Sequence, residues 1–116
     1  MAESLGIFDQ RLLDGTVETI YTVPADHTFV PKTISVTNYS AASATVTIWL
    51  VAPTDSNTDK NMILKEKNVF VSETIFLNTD IYLQAGYKIM VQASAASALN
   101  FQLSGVDMWV EVVPNE

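Results

Sequence analysis

The sequence predicts an all-β fold: an antiparallel β-sandwich, jelly-roll or Ig-like, of about seven or eight strands with an N-terminal arm. Apolar and polar residues alternate in segment after segment, as they do in strands that bury one face. The alternation is clearest near the C-terminal end, where Leu99, Phe101 and Leu103 share one face. Turn residues separate the segments at regular spacing, which is typical of an antiparallel sandwich.

The last predicted strand contains a change of phase. Beyond Gly105, the apolar residues Val106 and Met108 continue with the opposite parity. One extra residue in a strand would send the following side chains to the wrong face. Because glycine accepts the backbone angles of a β-bulge, we predict a bulge at Gly105.

The chain divides into an N-terminal arm, residues 1–16, and a β-sandwich domain, residues 17–116. Apolar residues in the arm have loosely helical spacing, and Gly6 and Gly15 bracket them. The arm is either a lid strand or helical turn packed on the domain, or an extended segment that reaches a neighbouring subunit.

Seven segments of the sandwich domain are predicted as strands, with turns or polar loops between them. Pro24 ends the first strand because proline cannot donate to a sheet ladder, and Pro31 indicates a strand entry or an edge. The longest polar loop covers residues 53–61. The strands are predicted at residues 17–23, 29–38, 44–51, 62–64, 69–77, 87–94 and 99–113.

Composition fits one domain with a sizeable core. The 116 residues are 48% hydrophobic and only 16% charged. The absence of cysteine excludes disulfides and thiolate metal sites. A net charge of −7 with scattered basic residues argues against nucleic-acid binding, which needs a basic patch. No apolar run is long enough to span a bilayer, and we expect no signal peptide.

Candidate catalytic and metal-binding groups are few. His27 is the only histidine, and we expect a solvated turn residue with no catalytic role. We therefore predict no enzymatic activity and no cofactor. A weak calcium candidate has oxygen ligands at the spacing of a calcium-binding loop, although Lys60 occupies the position that favours glycine. Its ligands would be Asp55, Asn57, Asp59 and Glu66.

Two tryptophans are candidate contact residues. Trp49 is predicted on an outer sheet face among threonines. Its neighbours across the sheet would be either residues 33–37 or Met90 and Gln92. An aromatic anchor on such a polar platform favours a protein contact. Cover by the arm is the alternative for Trp49. Trp109 is predicted beside Asp107 on a wet or partner-contacting face, which suits an interface or stacking on a sugar. The predicted interface is Leu5, Ile7, Phe8, Leu12, Trp49 and Trp109.

Several segments resemble the small β-sandwich structural proteins of tailed bacteriophages, which include capsid decoration (cement) and tail-associated proteins. One block joins residues 20–25 (IYTVPA), 34–38 (ISVTN) and 45–48 (TVTI). A second joins residues 81–86 (IYLQAG), 89–94 (IMVQAS) and 103–106 (LSGV). Tyr87 stands where such proteins commonly have an aspartate. The resemblance covers roughly residues 17–112, and no catalytic residues come with it.

The resemblance implies a virion structural protein made in the bacterial cytoplasm. We expect a capsid decoration protein that binds the outer capsid surface and bridges neighbouring subunits. Its partners would be the major capsid protein and copies of itself, with a trimer as the expected oligomer. The alternative is a tail- or fibre-associated module that binds a host-surface glycan or another tail protein.

Overall fold

The computed structural model describes residues 3–109, and within them almost all regular structure is β-strand. One 3₁₀ turn, Asp59–Asn61, precedes the fifth strand. The strands are β1 (Glu3–Leu12), β2 (Glu18–Thr22), β3 (His27–Asn38), β4 (Ala44–Val51), β5 (Met62–Val69), β6 (Thr74–Asn78), β7 (Leu83–Gln84), β8 (Lys88–Ala93) and β9 (Leu99–Trp109). The predicted all-β sandwich is confirmed.

The strands form two antiparallel sheets with jelly-roll connectivity. One sheet has the order β1-β9-β3-β6, with the short β7 also paired to β3. The other has the order β2-β8-β4-β5. Most successive strands cross between the sheets, and β1 lies beside β9, the last strand of the described residues, which is the jelly-roll arrangement and not the immunoglobulin one. We call the sheet that contains β1 the five-stranded sheet and the sheet that contains β2 the four-stranded sheet.

The core lies between the two sheets and is filled by alternate residues of their strands. Phe101 and Leu103 of β9, and Ile89 and Val91 of β8, are fully buried. All four were expected to point inward because they follow the period of two. Phe29 of β3 and Phe101 are the largest of the fully buried side chains, and Phe8 and Tyr21 pack edge-on or tilted against Phe29.

The predicted bulge at Gly105 is wrong, because β9 alternates without interruption. Gly105 and Asp107 keep the inward parity of Leu103, while Val106 and Met108 point outward. The register shifts lie in the two neighbouring strands, between Ile7 and Asp9 of β1 and between Pro31 and Thr33 of β3. Both shifts lie opposite the same stretch of β9. The continuation of this strand predicted through residue 113 lies outside the described residues.

Gly105 is needed for space. A Cβ atom at this position would lie 2.5 Å from the carbonyl oxygen of Val30 and 2.7 Å from Cζ of Phe29. The backbone of β3 therefore approaches β9 more closely here than any larger residue allows.

The segment predicted as an arm contains β1, an edge strand of the five-stranded sheet that pairs with β9 along its length. The register shift after Ile7 turns Phe8 into the core, where it contacts Tyr21 and Phe29. Leu5, Ile7 and Leu12 stay exposed. The loosely helical spacing of apolar residues thus comes from a strand whose parity changes at a bulge.

Candidate functional site: an uncharged sheet face

The outer face of the five-stranded sheet carries no charged side chain over its central rows. Three residues from each of four strands form cross-strand rows on this surface. We call it the uncharged face; it consists of Ile7, Gln10 and Leu12 of β1, Asn100, Gln102 and Ser104 of β9, Thr33, Ser35 and Thr37 of β3, and Thr74, Phe76 and Asn78 of β6. On a chain of net charge −7, such a surface is unusual.

Hydroxyl and amide groups form the floor of this face, and apolar side chains form its rims. Thr37 and Thr74 share a hydrogen bond of 2.8 Å between their Oγ1 atoms, and Thr33 Oγ1 donates to Oδ1 of Asn78 at 3.1 Å. These bonds hold the floor flat across β3 and β6. A shallow groove of about 230 Å³ lies between Ile7 on one rim and Phe76 on the other.

The size of the uncharged face suits a protein contact. Four strands about 4.8 Å apart, over six residues of rise, cover roughly 400 Å². A typical stable interface takes roughly 800 Å² from each partner, so this face supplies about half of one. The polar floor resembles the ordinary composition of non-obligate interfaces, which are depleted in charge at their centre.

A second site, which the sequence did not predict, lies at one end of the sandwich. Asp107 of β9 is 6% exposed and accepts a hydrogen bond from Tyr21 Oη at 3.3 Å. Its other oxygen lies 2.7 Å from Nδ1 of His27, at the start of β3. One carboxylate therefore links strands of both sheets. The expectations that His27 is a solvated turn residue and that Asp107 lies on a wet or partner-contacting face are wrong, because the two side chains pair with each other inside the subunit.

The electrostatics of this cluster favour a protonated Tyr21. Burial, and then the negative charge of Asp107, raises the pKa of Tyr21 to about 12, so the phenol remains a donor at neutral pH. The signal for the cluster was present in the sequence. Asp107 keeps the inward parity of Phe101 and Leu103, and a buried carboxylate requires donors.

Trp109 lies beside this cluster. Its ring centroid is 4.8 Å from that of His27, and the residue is 57% exposed. The indole is therefore a surface aromatic whose inner side is held by the imidazole. Trp109 lies at the end of the sandwich, beyond the rows of the uncharged face.

The other predicted contact residues divide between surface and interior. Leu5, Ile7 and Leu12 are exposed on β1, whereas Phe8 packs inward. Trp49 is only 5% exposed, and its cross-strand neighbours are Met62 and Met90 of the four-stranded sheet. Of the two sets of neighbours predicted for Trp49, Met90 and Gln92 lie on the paired strand β8, whereas residues 33–37 of β3 belong to the other sheet.

The structure does not assemble the predicted calcium site. Asp55 is paired with Lys60, whose Nζ lies 3.3 Å from Oδ2 of Asp55. Glu66 lies in β5, where its N–H donates to Oγ1 of Thr47. Within residues 3–109, no three acidic or histidine side chains form a group that could hold a metal ion. The lysine that weakened the sequence match therefore holds the loop's first carboxylate.

Charged residues near β1 are neutralised within the subunit. The Arg11 guanidinium contacts Asp9 at 2.6 Å and Glu18 of β2 at 3.4 Å. The hydrogen bond with Asp9 raises the pKa of Arg11 above its already high value. This group ties the edges of the two sheets together and pairs the one cation of β1 with two carboxylates. No helix in the described part of the chain is long and apolar enough to cross a membrane.

Comparison with known proteins identifies the fold. No protein-family model and no curated protein matches the sequence. A chain of the acidic stable capsid of Helicobacter pylori bacteriophage KHP30 is similar in structure over 100% of this chain and 94% of its own, with a TM-score of 0.60 and 10% identity. At these identities the likeness shows a shared fold.

Two further structures have the same fold. One is a chain of Bacillus endospore appendages, described as disulfide-linked pili, with a TM-score of 0.57, 11% identity, and coverage of 95% of this chain and 88% of that one. The other belongs to infectious bursal disease virus strain Gx, with a TM-score of 0.52 and 10% identity; the match covers 97% of this chain and 33% of the viral one. The present chain has no cysteine, so a disulfide linkage has no counterpart here.

Proposed function

We propose that this protein is a bacteriophage virion structural protein, a capsid decoration (cement) protein without enzymatic activity. It is made in the host bacterial cytoplasm and binds the outer capsid surface. Its partners are the major capsid protein and copies of itself, with three copies as the expected oligomer. The observation that carries this proposal is the uncharged face on a chain of net charge −7.

The charge distribution supports a docking role for this face. Acidic copies that cover one shell repel one another, so they gain from a contact surface without charge. A face of hydroxyl and amide groups with apolar rims can be desolvated without leaving an ionised group unpaired. The outward acidic residues elsewhere then face solvent, away from packaged DNA.

The fold likeness supports the same proposal at the level of architecture. A jelly-roll domain of this length matches nearly the whole of a chain in a phage capsid structure. The mechanism we propose is mechanical. Each copy bridges neighbouring capsid subunits, so expansion of the head must break the added contacts. Many copies at symmetric sites make modest individual contacts effective.

The test is a binding assay with emptied or undecorated heads of the phage that encodes the protein. Ser35 lies at the centre of the uncharged face, paired with Gln102 and Phe76. A lysine there would be buried without a partner, so we expect Ser35→Lys to weaken binding at least 100-fold. Thr19→Lys on exposed β2 of the other sheet is the matched control and should bind like the wild type. Equal binding by both variants would contradict the proposal.

A second candidate function rests on Trp109. Its exposed indole beside His27 offers a stacking surface of the kind that sugar-binding sites use. In this alternative the protein is a tail- or fibre-associated module that binds a host-surface glycan. Binding to a glycan array that Trp109→Ala abolishes, with no binding to heads, would favour this function over decoration.

A further inference from the structure

Exposed apolar side chains are concentrated at the two edges of the five-stranded sheet. On the β1 edge, Leu5 is 75% exposed and Ile7 is 60% exposed. On the opposite edge, Phe76 of β6 is 68% exposed and Tyr82, in the link to β7, is 69% exposed. Open sheet edges that carry apolar residues are templates for pairing with another strand.

The edges of the four-stranded sheet look different. The edge strand β5 carries Lys65, Glu66 and Lys67, all exposed, and its pairing with β4 is interrupted by two register shifts. Lysines and bulges are the features that block edge-to-edge association. The other edge strand, β2, spans only Glu18–Thr22. The edges of the four-stranded sheet are thus protected, whereas in the five-stranded sheet β6 carries neither feature and β1 carries one register shift, after Ile7.

The distribution of charge also favours a contact between β1 and β6, the two edge strands of the five-stranded sheet. β6 has no charged residue, and its neighbour Lys32 is paired with Asp80 at 2.7 Å. On β1, the Arg11 guanidinium is paired with the carboxylates of Asp9 and Glu18, so it presents no free positive charge. Because each copy carries a net charge of −7, repulsion between two copies is reduced where one of the two contacting strands, β6, carries no charge.

We propose that β1 of one copy pairs with β6 of the next copy, head to tail. The strands in the order β1-β9-β3-β6 alternate in direction, so the two edge strands run opposite ways. Copies that keep a common strand direction therefore pair them as an antiparallel ladder. The five-stranded sheets then join, and the uncharged face continues from copy to copy.

The contact buries enough surface for a specific interface. Covering the exposed apolar side chains and the open backbone removes on the order of 500 Å² from each edge, or about 1,000 Å² in total, near the lower bound for a specific contact. Pairing β1 with β6 covers both apolar edges at once, whereas a two-fold pairing of β1 with β1 leaves Phe76 exposed. A head-to-tail contact closes into a ring or continues as a filament.

The test uses purified full-length protein, with mass measured by light scattering and native mass spectrometry over a range of concentrations. We expect the wild type to form oligomers larger than a dimer. Ile7→Lys damages only the β1 edge and Phe76→Lys damages only the β6 edge, so each variant alone should be monomeric. Each also retains one intact edge, so an equimolar mixture should form a 1:1 heterodimer.

The control is Tyr39→Lys, which makes the same type of change at a residue that is 48% exposed and lies outside both edges. It should assemble like the wild type, and circular dichroism should show all variants folded. A monomeric wild type at ~100 µM would overturn the proposal. So would dimerisation of Phe76→Lys by itself, which indicates a two-fold contact, or a mixture that remains monomeric.

This contact does not depend on the identity of the capsid partner, and the two proposals fail separately. Ser35→Lys lies inside the sheet, away from both edges, and should assemble normally while losing binding to heads. Normal head binding by Ser35→Lys contradicts the docking role alone. A wild type that remains monomeric contradicts the edge contact and the expected trimer, and it leaves the docking role of the uncharged face standing.

Discussion

Replacing Gly105 with alanine tests the packing that builds the uncharged face. Gly105 faces inward in β9, between Leu103 and Asp107. The new methyl carbon would lie 2.5 Å from the Val30 carbonyl oxygen and 2.7 Å from Phe29 Cζ. Ordinary contacts begin near 3.4 Å, so a gap of almost 1 Å must open on two sides.

The neighbours of Gly105 have little freedom to open that gap. Val30 contributes a backbone oxygen of β3, which pairs with β9 on both sides of this position. Phe29 has 0% exposure and is held by Phe8 and Tyr21 at centroid distances of 5.0 and 4.5 Å. Overpacking in such a core costs about 1–3 kcal/mol, and we expect the upper end, about 3 kcal/mol. For a domain of this size, that lowers Tm by roughly 10–15 °C.

The assay is urea unfolding followed by circular dichroism, with Gln102→Ala on the outer face of the same strand as the control. The control should change the free energy of unfolding by less than about 0.5 kcal/mol. If Gly105→Ala is also within about 0.5 kcal/mol of the wild type, β3 and β9 are not as close as described and the argument for the glycine is refuted.

Three further predictions concern buried polar groups. Asp107→Ala leaves donors on Tyr21 and His27 without an acceptor, so the free energy of unfolding should fall by about 3 kcal/mol. A double-mutant cycle with His27→Ala should show a coupling energy of at least ~1 kcal/mol between the two residues. Additive effects of the two substitutions would contradict the contact. Because the pKa of Tyr21 is raised to about 12 in the folded protein, the stability that its phenol contributes is present below pH 10 and is lost as pH rises through 12. Tyr21→Phe should remove about 1 kcal/mol of that decline, after allowance for the partial exposure of the side chain. If the free energies of unfolding in urea of the wild type and Tyr21→Phe have identical pH profiles, this prediction is refuted. Asn38 is 1% exposed and donates to the carbonyl oxygens of Ala42 and Val69, so Asn38→Ala should lower the free energy of unfolding by about 2–3 kcal/mol; a thermal melt unchanged from the wild type would show these bonds to be dispensable.

Alternation alone was enough to predict the sandwich and much of its core. Phe101, Leu103, Ile89 and Val91 follow the period of two, and burying one face of each strand leaves them few other positions. Pairing partners and strand order were not predictable in this way, because they depend on contacts between residues far apart in the chain.

The direction of side chains in β9 shows where prediction from the local sequence fails. Val106 and Met108 look like a continued apolar face, yet they point outward because Gly105 and Asp107 occupy the inner positions. The real register shifts lie after Ile7 and after Pro31. Pro31 was a local signal, but it was interpreted as a strand entry or an edge, whereas β3 lies inside the sheet and the proline is at the shift. Only the pairing of β1 and β3 with β9 reveals them.

The candidate sites were predictable to different degrees. The exposed apolar residues of β1 were predicted as contact residues, and the structure places Leu5, Ile7 and Leu12 at a sheet edge. The pair of His27 and Asp107 spans 80 residues of sequence, so no spacing rule could join them. For Trp49 the sequence left two sets of neighbours open, residues 33–37 or Met90 and Gln92, and only the order of strands selects the second set.

Electron cryo-microscopy of phage heads carrying this protein tests the docking role most directly. We predict that copies of the protein lie on the outer shell, at symmetric positions between capsid subunits. The plane of Thr33, Ser35 and Gln102 should lie against the shell, and the lysines of β5 should face solvent or a rim. Copies that dock through the four-stranded sheet, or that occur only in the tail, would contradict it.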